Sequence, residues 1–144
     1  MGVLWFDGLL ARVEDAGVYF LPENYVDELL EAAAVNRFPC LRANLAGCRA
    51  RADLLLRIAG VFEVPPHVVQ DFDQLPEALE RLRLPETAGQ VLVLEHSGDL
   101  REAALEDFKR GMEVLQAISA EWAARGLAFW SFVVVSESEF DALN

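Results

Sequence analysis

The side chains in this sequence that could do chemistry are mostly carboxylates. Between Glu63 and Glu80 stand Glu63, Asp71, Asp73, Glu77 and Glu80, with no Lys or Arg, a local charge of −5. Asp73 and Glu77 are four residues apart, so on a helix they share one face and repel. Three readings fit this run. It could be helix-start chemistry, with Asp71 or Asp73 as N-cap and acids in a first turn suiting the helix dipole. It could be an acidic docking face. Or Asp73 could pair with Glu77, or with Glu121, for general acid–base work, which needs a concave pocket that raises one carboxyl pKa. Pro76 bears on the first reading. With Asp73 as N-cap, Pro76 falls at N3, where its missing N–H costs nothing. With Asp71 as N-cap, Pro76 lies one turn in and removes an intrahelical bond.

Other reactive groups are sparse. His67 and His96 are the only imidazoles, each in or beside an expected loop. Cys40 and Cys48 have neither CxxC nor zinc-ligand spacing and read as two reduced, mostly buried thiols. Six Ser and Thr, none in a nucleophile context, argue against hydroxyl-based covalent catalysis. There is no GxSxG, HExxH, GxxxxGK or GxGxxG. The expectation is a protein without catalytic residues, metal or cofactor.

The elements that must position the acids alternate along the chain. Val18 to Leu21 is a short strand closed by Pro22, and Asn24 is placed to cap a helix whose apolar face is Val26, Leu29, Leu30 and Ala33. Phe38 to Leu45 reads as a second strand, and Leu54, Leu55, Ile58, Ala59 and Phe62 mark a second helix stopped by Pro65-Pro66. A loop from His67 to Asp71 leads into a third helix ending near Arg83. Gln90 to Leu94 is a near-continuous apolar run, as a strand buried on both faces requires. Ser97-Gly98-Asp99 reads as a turn. A long helix follows, with the core stripe Phe108, Met112, Leu115, Ile118 and Trp122, ended by Gly126. Phe129 to Val135 is the last strand, and Ser136 to Asn144 reads as a frayed polar tail. Helices alternating with short apolar strands imply an α/β fold, a mainly parallel sheet of three or four strands flanked by helices.

Composition narrows the partners. The chain has 144 residues, 53% of them hydrophobic, enough for one domain with a real core. Twenty-four acids against twelve bases give a net charge of −12. That argues against nucleic acid and against an anionic membrane, and in favour of a basic protein partner. Residues 1–20 lack a basic n-region and a long apolar run, and nothing approaches a membrane span, so a cytoplasmic location is expected. Leu4, Trp5, Phe6, Leu9 and Leu10 are expected to pack on the core.

The segment Glu63-Val64-Pro65-Pro66-His67-Val68-Val69-Gln70-Asp71-Phe72-Asp73-Gln74-Leu75-Pro76-Glu77-Ala78-Leu79 resembles the signature of the barstar family, bacterial intracellular inhibitors of barnase-type ribonucleases. That signature is roughly F-P-x-x-[FY]-G-x-N-[WL]-D-A-L, followed by an acid four residues after the Asp. Pro65, Phe72, Asp73, Leu75 and Leu79 match it, and Glu77 supplies the second acid. Leu41 to Phe62, Gly89 to Glu95 and Glu121 to Phe129 are similar to the family's flanking strands and helices. The resemblance covers residues 38–136 of a single domain spanning 1–144. Residues 1–37 would be an extension adding a strand and a helix, and 137–144 a tail.

The resemblance implies a non-enzymatic protein that plugs a basic nuclease groove, carboxylates standing where RNA phosphates would sit. By position the contact residues are His67 (usually an aromatic), Asp73, Glu77 and Glu121, with Asp71 in the same loop. The chain departs from the pattern where partners are read. Val69 replaces the signature Gly, Asp71 the Asn and Gln74 the Ala, and Pro76 stands where an aromatic is common. The alternative is therefore a barstar-fold interaction or regulatory module that binds another partner. Exposed Val68 and Val69 beside apolar neighbours would favour a more hydrophobic contact; buried ones would favour the acidic helix.

Overall fold

A strand with no polar alternation must be covered on both faces, and this chain has two of them. The computed structural model describes Leu10 and residues 12–65, 67–82 and 89–143. Strands β1 (Val18–Pro22), β2 (Cys40–Asn44), β3 (Gly89–Glu95) and β4 (Ala128–Val135) form a sheet in the order β1-β4-β3-β2, parallel throughout. The apolar central strands β3 and β4 are buried almost end to end. The register sets Val18 against Ser131, Val91 against Trp130 and Cys40 against Val91. The α/β class and the parallel sheet flanked by helices agree with the reading of the sequence.

The two faces have separate covers. Helix α1 (Val26–Val35) lays Val26, Leu29, Ala32 and Ala33 on Val91, Val93, Ala128, Trp130 and Phe132. Buried Leu10 joins this cluster, whereas Leu4, Trp5, Phe6 and Leu9 lie outside the described residues. The opposite face, with Leu92, Leu94, Phe129 and Val133, is covered by α2 (Arg51–Val61), α3 (Leu75–Leu82) and α5 (Leu105–Ala123). Two polar bonds fix α5 to the sheet. Ser119 Oγ donates to the Phe129 carbonyl at 2.6 Å, and Gln116 Oε1 accepts from the Val18 N–H at 2.9 Å.

Several boundaries differ from expectation for local reasons. Asn24 is not a helix cap: a 3₁₀ turn, Glu23–Tyr25, precedes α1, whose N-cap is Tyr25 with no side-chain bond. The Ser97-Gly98-Asp99 turn opens a short helix, α4 (Gly98–Ala103), whose first turn is closed by Arg101 donating from its backbone N–H to the Ser97 carbonyl and from Nε to Ser97 Oγ. The polar tail is not frayed over its described length. Ser136 and Glu139 have capping-box spacing, the Glu139 N–H donates to Ser136 Oγ at 3.1 Å, and α6 (Glu137–Leu143) forms. Arg83, at the expected end of the third helix, lies outside the described residues. Met112 of the predicted stripe is only partly buried, and Gly111 and Val114 pack in its place. Cys40 and Cys48 are free; burial pushes the Cys40 thiol up to about 11. No helix among the described residues is long and apolar enough to cross a membrane.

Gly111 shows how tightly α5 is seated. A Cβ there would lie 2.8 Å from Leu54 Cδ2 and 3.3 Å from Phe72 Cε1. Gly111→Val should therefore destabilise the protein by about 2 kcal/mol in urea unfolding, overpacking outweighing the gain in helix propensity. Unchanged stability would show the α2–α5 seam to be loose.

At the carboxyl end of the sheet, Arg42 donates to both oxygens of Glu95, at 2.7 and 2.9 Å, and holds that carboxyl below the ordinary glutamate range. A lowered folded pKa contributes stability at neutral pH. That contribution should fade as pH falls below the ordinary value of 4.5 and through the folded pKa. Glu95→Gln should flatten this part of the stability–pH curve; an unaltered acid limb would show that the pair contributes nothing.

Candidate functional site

The acidic segment is held by a fixed point at each end. At its start α2 ends with Glu63 in the left-handed region at φ 59°. The Val64 N–H donates to the Ala59 carbonyl at 2.8 Å and the Glu63 N–H to the Gly60 carbonyl at 3.1 Å, a Schellman cap. Buried Val64 then pins the exit. Glycine normally fills this position, and a non-glycine residue there costs about 1 kcal/mol.

From Val64 the chain returns along α2. Arg51 in the first turn of α2 lies 3.6 Å from Asp71, so the loop traverses the length of that helix. At its far end the Phe72 N–H donates to Asp71 Oδ1 at 2.8 Å. Gln74 Oε1 accepts from the Gln70 and Asp71 N–H groups, at 2.6 and 3.1 Å. This is a reciprocal capping box around a 3₁₀ turn, Phe72–Gln74, which runs straight into α3. Of the two capping readings the structure therefore takes Asp71. It avoids the expected penalty because the α-helix proper begins at Leu75, leaving Pro76 inside the first turn, where no intrahelical N–H is needed. Phe72 and Leu75, both buried, fasten the turn to the core below.

The expected contact residues are all exposed. Asp71, Asp73 and Glu77 follow one another along the turn and α3, with the Asp73 side chain 86% exposed. His67 stands in the loop before them. Glu121 lies on the last turn of α5, where its charge acts on Arg125, the bidentate partner of Glu80. It thus extends the acidic ridge at the Glu80 end. The carboxylates are not bare. Arg51 approaches Asp71, and Arg110 of α5 lies 4.0 Å from Asp73. Glu77 and Glu80 also make interactions of their own. Such exposed pairs are worth about 0–1 kcal/mol each, so an incoming cation exchanges with them readily.

This geometry suits binding. Asp73, Glu77 and Glu121 stand in solvent, not in the enclosed setting that carboxylate-pair catalysis requires. No group of three or more His, Cys, Asp or Glu that could hold a metal occurs among the described residues. Val69 and Val68 divide between the two outcomes weighed for them. Val69 is buried at 5% exposure without a left-handed backbone, which explains how a β-branched residue fits there. Val68 is 36% exposed, and Leu56 on α2 is 50% exposed.

Sequence reasoning missed three participants. Gln74 was readable, because Asp71 and Gln74 have the capping-box spacing. Arg51 and Arg110 had no local signal; their pairing depends on how α2 and α5 pack.

The two kinds of residue should separate in unfolding experiments. Gln74→Ala leaves two backbone donors without their acceptor and should cost about 1 kcal/mol in chemical denaturation. Asp73→Ala, on an exposed side chain, should change stability by less than about 0.5 kcal/mol. Equal effects would mean that Asp73 is a fold residue.

Comparison with curated proteins returns no match. A family model described as barstar (barnase inhibitor) matches residues 38–134. The match takes in β2, β3, nearly all of β4, the helices that cover one face and every residue of the acidic ridge, while β1 and α1 precede it. Across most of its length, and throughout the part that builds the ridge, the chain belongs to the barstar (barnase inhibitor) family.

Proposed function

We propose that the protein is a stoichiometric, non-enzymatic inhibitor or immunity-type protein. Its partner is a basic protein, with a barnase-type ribonuclease as the leading candidate. The observation that carries this reading is the run of exposed carboxylates Asp71, Asp73 and Glu77 on a capped turn inside the family match. A nuclease groove that holds RNA phosphates offers Arg, Lys and His donors, and carboxylates at those positions accept the same charge-assisted hydrogen bonds. Because the turn is ordered by Asp71 and Gln74 before any partner arrives, little conformational entropy is lost on binding. The net charge of −12 adds long-range attraction to a basic surface and speeds encounter. The chain itself supplies the interaction, with no cofactor, nucleic acid or membrane required. Exposed Val68 on the loop and exposed Leu56 on α2 support a second reading, a barstar-fold module whose loop has been redirected to another basic protein.

The test is titration into a barnase-type ribonuclease while following RNA cleavage. Inhibition should be complete at one equivalent and should weaken as salt rises. Asp73→Ala and Glu77→Ala should each loosen it by about tenfold to a hundredfold, the loss of a hydrogen bond to a charged group. Absence of inhibition at micromolar excess would reject this ribonuclease class as the partner and favour the redirected module. Inhibition indifferent to both substitutions would move the binding face elsewhere.

A further inference from the structure

Beside the acidic ridge, α2 and the returning loop leave a cleft of about 320 Å³ lined by Ala52, Leu55, Leu56, Val69 and Gln70. Leu55 and Val69, both buried, lie against the core at its base. Leu56 stands half out of the surface, and Val68 is partly exposed on the same loop. The cleft and the ridge are one structure. Gln70 lines the cleft, and its backbone N–H is held by Gln74 Oε1, the same oxygen that caps Asp71. On the helix side Ala52 of the cleft directly follows Arg51, which approaches Asp71. An apolar hollow thus opens beside the Arg51–Asp71 pair, at the point where the loop enters the acidic ridge.

We propose that the basic partner inserts one aromatic side chain into this cleft while its cations engage Asp71 and Asp73. The inference rests on the reading of the ridge as a docking face and names what the partner carries beside its positive charge. Charge complementarity fixes the type of protein, because the loop that lines the cleft with Val69 and Gln70 runs directly into exposed Asp71 and Asp73. The volume fits a ring, and an aromatic group adds large contact area for few lost rotamers. Such an arrangement, an apolar anchor excluded from water with charged groups at its rim, is how protein interfaces concentrate affinity. It also gives Leu56 a role that its place on an exposed helix turn otherwise lacks.

Two peptides test it without the natural partner, acetyl-Arg-Trp-Arg-amide and acetyl-Arg-Ala-Arg-amide, each titrated into the full-length protein and followed by methyl and amide NMR. The tryptophan peptide should shift the methyl signals of Leu55, Leu56 and Val69 and bind about tenfold tighter than the alanine peptide. Leu56→Gln, at an exposed position that leaves the core intact, should erase that preference, and Asp73→Ala should weaken both peptides alike. Equal affinities, with shifts confined to Asp71–Glu77, would overturn the anchor and leave the ridge standing. Shifts at the cleft that ignore Asp73→Ala would support the anchor and reject the ridge. No saturable shift with either peptide at millimolar concentration would overturn the anchor, while the ribonuclease titration judges the ridge by itself.

Discussion

Burial of β3 and β4 on both faces is the constraint from which the rest of this molecule follows. Parallel strands this apolar cannot leave a face in water. The chain meets the requirement twice, with α1 on one side and α2, α3 and α5 on the other. The second cover does more than exclude water. Seating α2 and α5 close together, with glycine at 111 to permit it, creates the surface on which Phe72 and Leu75 are held. The acidic turn is therefore a rider on the core. Its position is set by hydrophobic packing, and its own polar bonds only shape it.

The ridge that results is electrostatically subtler than a row of free charges. Arg51, Arg110 and Arg125 come from three different places in the chain and each approaches a different carboxylate. Like charges at Asp71, Asp73, Glu77 and Glu80 repel, and these arginines relieve part of that repulsion in the free protein. Because the pairs are exposed, they hold the carboxylates loosely and leave them able to accept stronger donors. The same cations reduce the field outside the ridge, so on the proposed docking reading selectivity depends on neighbouring contacts as well as on charge.

Much of this was legible in the sequence. The two-faced apolar runs at Gln90–Leu94 and Phe129–Val135, the amphipathic spacing of α2 and α5 and the glycine that ends α5 are signals carried by neighbours in the chain, and they located the elements. The acids of the ridge are equally local, whereas the Asp71–Gln74 capping spacing was present and went unread. What escaped were features made by contact at a distance. Whether Asp71 or Asp73 capped the turn depended on a 3₁₀ segment that spacing does not distinguish from an α-helix. Pairing of Arg110 with Asp73 required α5 to lie beside the turn. The burial of Val69 depended on a loop path that a comparison with the family signature, where glycine stands, does not supply. The tail was misjudged for a different reason: its polar composition hid a capping pair, Ser136 and Glu139, together with a salt bridge from Arg101.

The loop before the ridge is pinned at both ends. Val64 is buried just after the left-handed Glu63, and Val69 is buried just before the Asp71–Gln74 cap. Only a handful of residues lie between those pins, and their described side chains face solvent. Sequence change in that short span therefore leaves the carboxylates where they are. On the proposed docking reading, a lineage can rewrite which partner the loop prefers, one surface residue at a time, without rebuilding the charged platform beside it. Recognition and attraction are separable here, and they can drift at different rates.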